Sequence, residues 1–127
     1  MFVRRLSDVI GTKRDVNWGN GQSRRLLVEK DGMGFAFLDT IANAGTDVLL
    51  QYRNHLESVY CIEGSGEIID QSNGEAHSIE PGTIYVLNDH DFHRLRAFED
   101  LRLICVFNPA IKGNERHDMT TDDGSAY

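Results

Sequence analysis

Short runs of Val, Ile, Leu, Phe and Tyr recur along this chain between glycine-bearing turn signals, a rhythm that fits a β-sandwich or barrel and little else. Residues 26–29 and 35–40 flank Asp31-Gly32, a hairpin signal, and residues 59–63 and 67–70 flank Gly64-Ser65-Gly66. Ser72-Asn73-Gly74 makes the next turn. Runs at 83–87, 93–98 and 101–107 follow, the first opened by Pro81-Gly82. These signals predict about eight to ten short strands in one all-β domain spanning 1–127. Helical signal is confined to one turn, capped by Ser7, running through Ile10 and ended by Gly11. Residues 12–24 read as a polar loop, and 118–127 as a flexible tail.

Because successive side chains of a strand point to opposite faces, the runs also predict which residues meet. Glu57, Val59 and Cys61 share one face; so do Thr83, Tyr85 and Leu87; so do Leu101, Leu103, Cys105 and Phe107, with Arg102 opposite. If these faces point inward, Glu57, Tyr85, His93 and Cys105 line one cavity.

Composition narrows the partners. At 127 residues the chain is long enough to bury roughly two thirds of its unfolded surface. A net charge of −7 argues against nucleic acid as a partner. No apolar run approaches bilayer-spanning length, and the first residues lack a secretory signal, so a cytoplasmic address is expected. Cys61 and Cys105 each sit inside an apolar run and read as buried, reduced thiols.

Two spacings carry chemistry. The first runs Gly45, five residues, Gln51, one residue, Arg53, three residues, Glu57, six residues, Gly64; the second runs from Gly82 across ten residues to His93. They resemble the paired motifs of the cupin superfamily, and so imply a cupin jelly-roll barrel. In that superfamily the first motif carries two histidines and a glutamate, and the second one more histidine. Here Gln51 and Arg53 stand at the first two ligand positions while Glu57 and His93 remain, which requires a replacement donor. Tyr85 is the natural candidate, because a bound cation stabilises phenolate. A carboxylate, a phenol and an imidazole suit iron, manganese or zinc. His55 lies near this cluster as a wall or supporting group, while His77 reads as a solvated hairpin residue and His90 as a turn residue. Glu115 and His117, two apart, would point the same way on an extended strand and could run acid–base chemistry.

Longer stretches sharpen the resemblance. His55-Leu56-Glu57-Ser58-Val59-Tyr60-Cys61-Ile62-Glu63-Gly64, Pro81-Gly82-Thr83-Ile84-Tyr85-Val86-Leu87, and Cys105-Val106-Phe107-Asn108-Pro109 followed by Gly113-Asn114-Glu115-Arg116-His117-Asp118 are similar to the ectoine synthase family. That resemblance implies a catalytic iron, most simply Fe(II), on Glu57, Tyr85 and His93. It also implies a substrate site lined by Thr40, Tyr52, Cys105, Phe107, Glu115 and His117, and a homodimer, at which apolar residues on both faces of 101–107 also hint. The implied reaction is the internal dehydration of N-γ-acetyl-L-2,4-diaminobutanoate to a cyclic amidine, with Glu115 or Tyr52 accepting the amine proton and His117 assisting the departure of water. Two departures stand out. The family carries a tryptophan where this chain has Gly21, with Trp18 three residues earlier, so a shifted loop is needed to return an indole to the pocket. The family also tends to be polar where Phe37-Leu38-Asp39 and Leu49-Leu50-Gln51 stand here, with the apolar changes near Leu38 and Leu49. A binding module using Arg53 as a carboxylate clamp, or a cupin dioxygenase or isomerase, are the competing readings.

Overall fold

The computed structural model describes residues 1–116. His117 and the tail expected over 118–127 lie outside the described residues. One helical turn, α1 (Leu6–Val9), precedes ten strands: β1 (Asp15–Asn17), β2 (Gln22–Leu27), β3 (Ala36–Ala42), β4 (Asp47–Leu50), β5 (Leu56–Glu63), β6 (Gly66–Asp70), β7 (Ala76–Ile79), β8 (Ile84–Leu87), β9 (His93–Ala97) and β10 (Leu101–Asn108). They form a six-stranded sheet in the order β1-β2-β3-β10-β5-β8 and a four-stranded sheet in the order β4-β9-β6-β7. Every pairing is antiparallel.

Period-two alternation buries one face of each sheet against the other. On β10, Leu101, Leu103, Cys105 and Phe107 are buried while the residues between them are half-exposed. A register shift between Arg102 and Leu103 leaves that alternation intact. On β5, Glu57, Val59 and Cys61 are buried, as the pattern predicts. The four-stranded sheet contributes Leu50, Ile68, Ile79, Leu95 and Ala97 to the same core. Gly64, at φ +93°, joins β5 to β6 where a Cβ would collide with the Asp100 carbonyl, so only glycine fits.

The structure corrects several sequence expectations. Helix α1 is capped by Arg5, whose backbone N–H donates to the Asp8 carboxylate at 2.8 Å; Ser7 lies inside the turn. The polar segment 12–24 is no loop: it holds β1 and the first half of β2. Its polar residues belong to sheet faces, with Arg24 donating to Asp39 on the next strand at 2.7 Å. Asp39 also accepts from Arg102 at 2.7 Å, so this buried carboxylate sits between two guanidinium groups across β2, β3 and β10. Beyond β10, residues 109–116 form no strand, so Glu115 is not on the extended segment that the sequence suggested. No helix among the described residues is long and apolar enough to cross a membrane.

Candidate active site

Register gathers the functional side chains on the inner face. Glu57 pairs with Phe107 on one side and Leu87 on the other; Val59, two residues on, pairs with Cys105 and Tyr85. Glu57, Tyr85, Cys105 and Phe107 are therefore neighbours on one face of β5, β8 and β10. Thr40 enters from β3, and the Cys105 thiol approaches its hydroxyl at 3.7 Å. The pocket these residues enclose, a void of about 40 Å³, is also lined by Trp18, Ser23, Leu38, Leu50, Tyr52 and Leu95. Of the two departures from family polarity, Leu38 is part of its wall, whereas Leu49 is exposed and its neighbour Leu50 takes the inward position.

His93 comes from the opposite sheet, where it pairs with Leu50 and Asp70. The inner pocket is not lined by His93, contrary to the single cavity expected from strand alternation. Instead His93 lines an adjoining depression of about 140 Å³ with Ile68, Asp70, His77, Val86, Leu87 and Asp91, and Tyr85 borders both spaces. Tyr52, which lines the inner pocket, packs its ring 5.6 Å from the His93 ring and edge-on to Phe107 at 5.3 Å.

Hydrogen bonds fix these groups. His93 Nδ1 lies 2.9 Å from the Asp91 carbonyl; since a carbonyl only accepts, Nδ1 carries the proton and Nε2 the lone pair. The Tyr52 loop is pinned twice to the loop before β9: His90 Nδ1 donates to the Tyr52 carbonyl at 2.8 Å and Gln51 donates to the His90 carbonyl at 3.1 Å. His90 is an exposed turn residue, as expected, and the non-glycine residue with positive φ among the described residues, at +50°; from there its ring also clamps Tyr52. His55 donates from Nδ1 to the Pro109 carbonyl at 2.8 Å and packs edge-on to Phe107, which makes it a supporting group.

Burial sets the charge states. Desolvation pushes the Glu57 carboxyl up to about 8, only partly opposed by the Cys105 thiol donating to it. Burial, then the nearby Glu57 charge, holds both the Tyr85 phenol and the Cys105 thiol well above their ordinary values. Burial lowers His93, against opposing contributions from the Asp91 carbonyl and the Asp91 and Asp70 charges. Among the described residues no cation stands beside Glu57. Nor do three His, Cys, Asp or Glu side chains gather there to hold an ion, so any ion needs a donor of another type.

Three further residues are placed by the structure. Trp18 reaches the pocket wall, its indole N–H donating to the Ile41 carbonyl at 2.8 Å. Gly21, at φ +146°, makes this possible: a Cβ there would collide with the same carbonyl and crowd the indole nitrogen. Glu115 lines neither pocket. Burial would raise its carboxyl, but backbone N–H groups of Lys112 and Gly113, each at 2.8 Å, outweigh that and hold it low. Its backbone carbonyl accepts from Arg25 at 2.6 Å. Arg25, which falls between the polar segment 12–24 and the run at 26–29, was no functional candidate in the sequence, yet its side chain is 0 % exposed. The only sequence signal was its place two residues after Ser23, on the inner face of β2, where its Nε donates to the Ser23 hydroxyl at 3.2 Å. Arg53, the alternative clamp, is exposed and lines neither pocket.

A two-sheet antiparallel barrel with a polar cluster on its inner face defines a cupin. The fold is shared with the cupin domain of Cnp3 from Schizosaccharomyces pombe, at a TM-score of 0.60 and 15% identity over 79% of this chain and 69% of that one. Within that class, the ectoine synthase profile matches residues 1–125, and the chain belongs to the ectoine synthase family of enzymes, which are hydro-lyases. It is 52% identical over 126 residues to an L-ectoine synthase of Desulfosudis oleivorans, covering 98% of this chain and 95% of that protein. A crystal structure of ectoine synthase from P. lautus superposes with a TM-score of 0.85 and 49% identity, covering 89% of this chain and 81% of that one.

Proposed function

We propose that this enzyme closes N-γ-acetyl-L-2,4-diaminobutanoate to ectoine and that a divalent metal, most simply Fe(II), supports the step. The observation that carries this reading is Glu57: a carboxyl 5 % exposed, with no cation beside it among the described residues, in a pocket walled by aromatic rings. Leaving a carboxylate there uncompensated is costly, and a bound cation removes that cost. The donor set fits. Burial favours the neutral forms of Glu57, Tyr85 and His93, and two of them become anions when a divalent cation binds, balancing its charge. His93 keeps its Nε2 lone pair available through the Asp91 contact. When bound, the ion would supply Lewis acidity to the acetyl carbonyl oxygen, which an unassisted amide needs.

The chain's own residues do the rest. In the reaction the α-nitrogen bonds to the acetyl carbon, the carbon–oxygen bond breaks, and two amine hydrogens leave with that oxygen as water. Freeing the amine lone pair at neutral pH costs only about 1 kcal/mol. Trp18, Phe107, Leu38 and Leu50 press the folded rotamer together and exclude bulk water, while Thr40 and Cys105 offer polar contacts. Of the two proton acceptors considered, Tyr52 lines the pocket, whereas the carboxylate of Glu115 is already engaged by two backbone N–H groups. We therefore assign the proton relay to Tyr52 and give Glu115 the task of holding Arg25. His117 remains the candidate for assisting water loss.

A cytoplasmic address, where free thiols such as Cys61 and Cys105 stay reduced, fits this reading. A homodimer is supported by the outer face of the six-stranded sheet. There Ile104–Tyr60–Ile84 and Val106–Ser58–Val86 line up across β10, β5 and β8, and Tyr60, Ile84 and Val86 are exposed. Purified, iron-loaded protein incubated with the acetylated diaminobutanoate should yield the cyclic product by NMR. Unchanged substrate in the presence of stoichiometric iron would overturn the assignment.

A further inference from the structure

Two spaces meet at Tyr85, and their electrostatics differ. The inner pocket is walled by Trp18, Leu38, Leu50, Tyr52 and Phe107, with Glu57 as its carboxyl group. The adjoining depression carries Asp70, Asp91 and His77 in front of His93. Asp70 is the register partner of His93 and shares its inward-facing parity; Asp91 stands just before β9, and His77, the partner of Ile68, is exposed at the rim.

Both aspartates are braced through one oxygen, and among the described residues the other oxygen accepts no hydrogen bond. Asp70 Oδ1 accepts from the Ser72 N–H at 2.8 Å and from the Ser72 hydroxyl at 2.6 Å, and Asp91 Oδ2 accepts from the Asp89 N–H at 3.2 Å. Among the described residues neither aspartate forms an ion pair, and the nearby His77 already faces Glu75 at 3.8 Å. Carboxylates held in place with no cation near them favour a cation. The second, independent pointer is His93 itself: its ring is 2 % exposed, its Nδ1 is committed to Asp91, and its Nε2 lone pair meets no donor among the described residues.

We propose that this depression is the port through which a divalent transition-metal cation enters, Asp70 and Asp91 drawing in the hydrated ion and passing it to His93 Nε2, while substrate uses the inner pocket. The inference rests on Glu57, Tyr85 and His93 being the ligands. Hard carboxylate oxygens exchange such ions readily, whereas the imidazole beyond them binds more tightly, so the ion moves inward along rising affinity. Separate doors for ion and substrate mean that loading does not require emptying the substrate pocket.

The test follows Co(II) uptake by metal-free protein in a stopped-flow instrument, through its visible absorption bands, at several ionic strengths. Asp70→Asn with Asp91→Asn keeps the bracing hydrogen bonds and removes both charges. The double variant should load about tenfold more slowly and lose the salt dependence of the wild-type rate, yet reach the same final stoichiometry. Loading at the wild-type rate would overturn the port, and so would a fall in final stoichiometry, which would make the aspartates ligands. Glu57→Ala judges the underlying reading separately: full Co(II) stoichiometry in that variant would overturn the ligand assignment whatever the loading rate of the aspartate variant.

Discussion

Asp39 and Glu57 are both carboxyl groups buried in the six-stranded sheet, 4 % and 5 % exposed, yet their environments are opposite. Asp39 lies on the outward parity, between Arg24 and Arg102. Burial alone would raise its carboxyl, but hydrogen bonds from Arg102 and Arg24 reverse that and hold it low. Glu57 lies on the inward parity and meets a thiol, aromatic walls and no cation among the described residues, so its carboxyl rises to about 8. The first is a completed electrostatic unit that ties three strands together. The second is incomplete within the described chain, and that incompleteness marks a working site.

The sharpest way to break this contrast is to truncate each carboxylate. Glu57→Ala should lose its iron, measured by elemental analysis, and at least about a thousandfold in turnover, since Lewis-acid assistance is worth several kcal/mol. Retained activity would show that Glu57 is a structural carboxyl after all. Asp39→Ala should instead leave the metal in place and destabilise the fold by about 1.5–3 kcal/mol in denaturant titrations, because it removes the carboxylate that two guanidinium groups share while Arg24 keeps the backbone carbonyl and Arg102 keeps Glu63. A smaller effect is expected from pH. In the metal-free protein, unfolded Glu57 releases its proton near 4.5 while folded Glu57 keeps it to about 8, so stability should fall as pH rises between those values and level off above. Glu57→Gln should flatten that slope in the metal-free protein; an unchanged slope would place its origin elsewhere. The mildest test is His90→Ala, which removes one clamp on Tyr52. It should cost about 1 kcal/mol in kcat/KM with metal content unchanged, and His90→Asn, tolerant of positive φ, should recover part of it.

The sequence made the inner face legible wherever alternation was strict. The buried triplet Glu57, Val59 and Cys61 and the run from Leu101 to Phe107 needed only the two-residue period. It failed where polar residues occupy sheet positions. Ser23 and Arg24 look like a loop, and Arg25 like no candidate, because the partners of the two arginines, Asp39 and Glu115, are distant in sequence and invisible to a local pattern. His93 was correctly placed on an inward face, but it lines the space beside the inner pocket, with the Tyr52 ring from loop 51–55 packed against it. The indole at Trp18 could be followed only in three dimensions, since its return to the pocket depends on Gly21 permitting a backbone approach that no other residue allows. Ser7 failed as a cap because Asp8, not a hydroxyl, reaches the first backbone N–H.

Of the three proposed donors, Tyr85 has the least support from its own strand. β8 is four residues long and ends the six-stranded sheet, hydrogen-bonded to β5 alone, whereas Glu57 sits on a strand flanked by two others. Amide protons of 84–87 should therefore exchange with solvent deuterium sooner than those of 57–61, as sheet margins fray before centres. Each such opening would withdraw the phenol for a moment and leave a grip of two, so the lifetime of a captured ion would be set by how often this margin peels away.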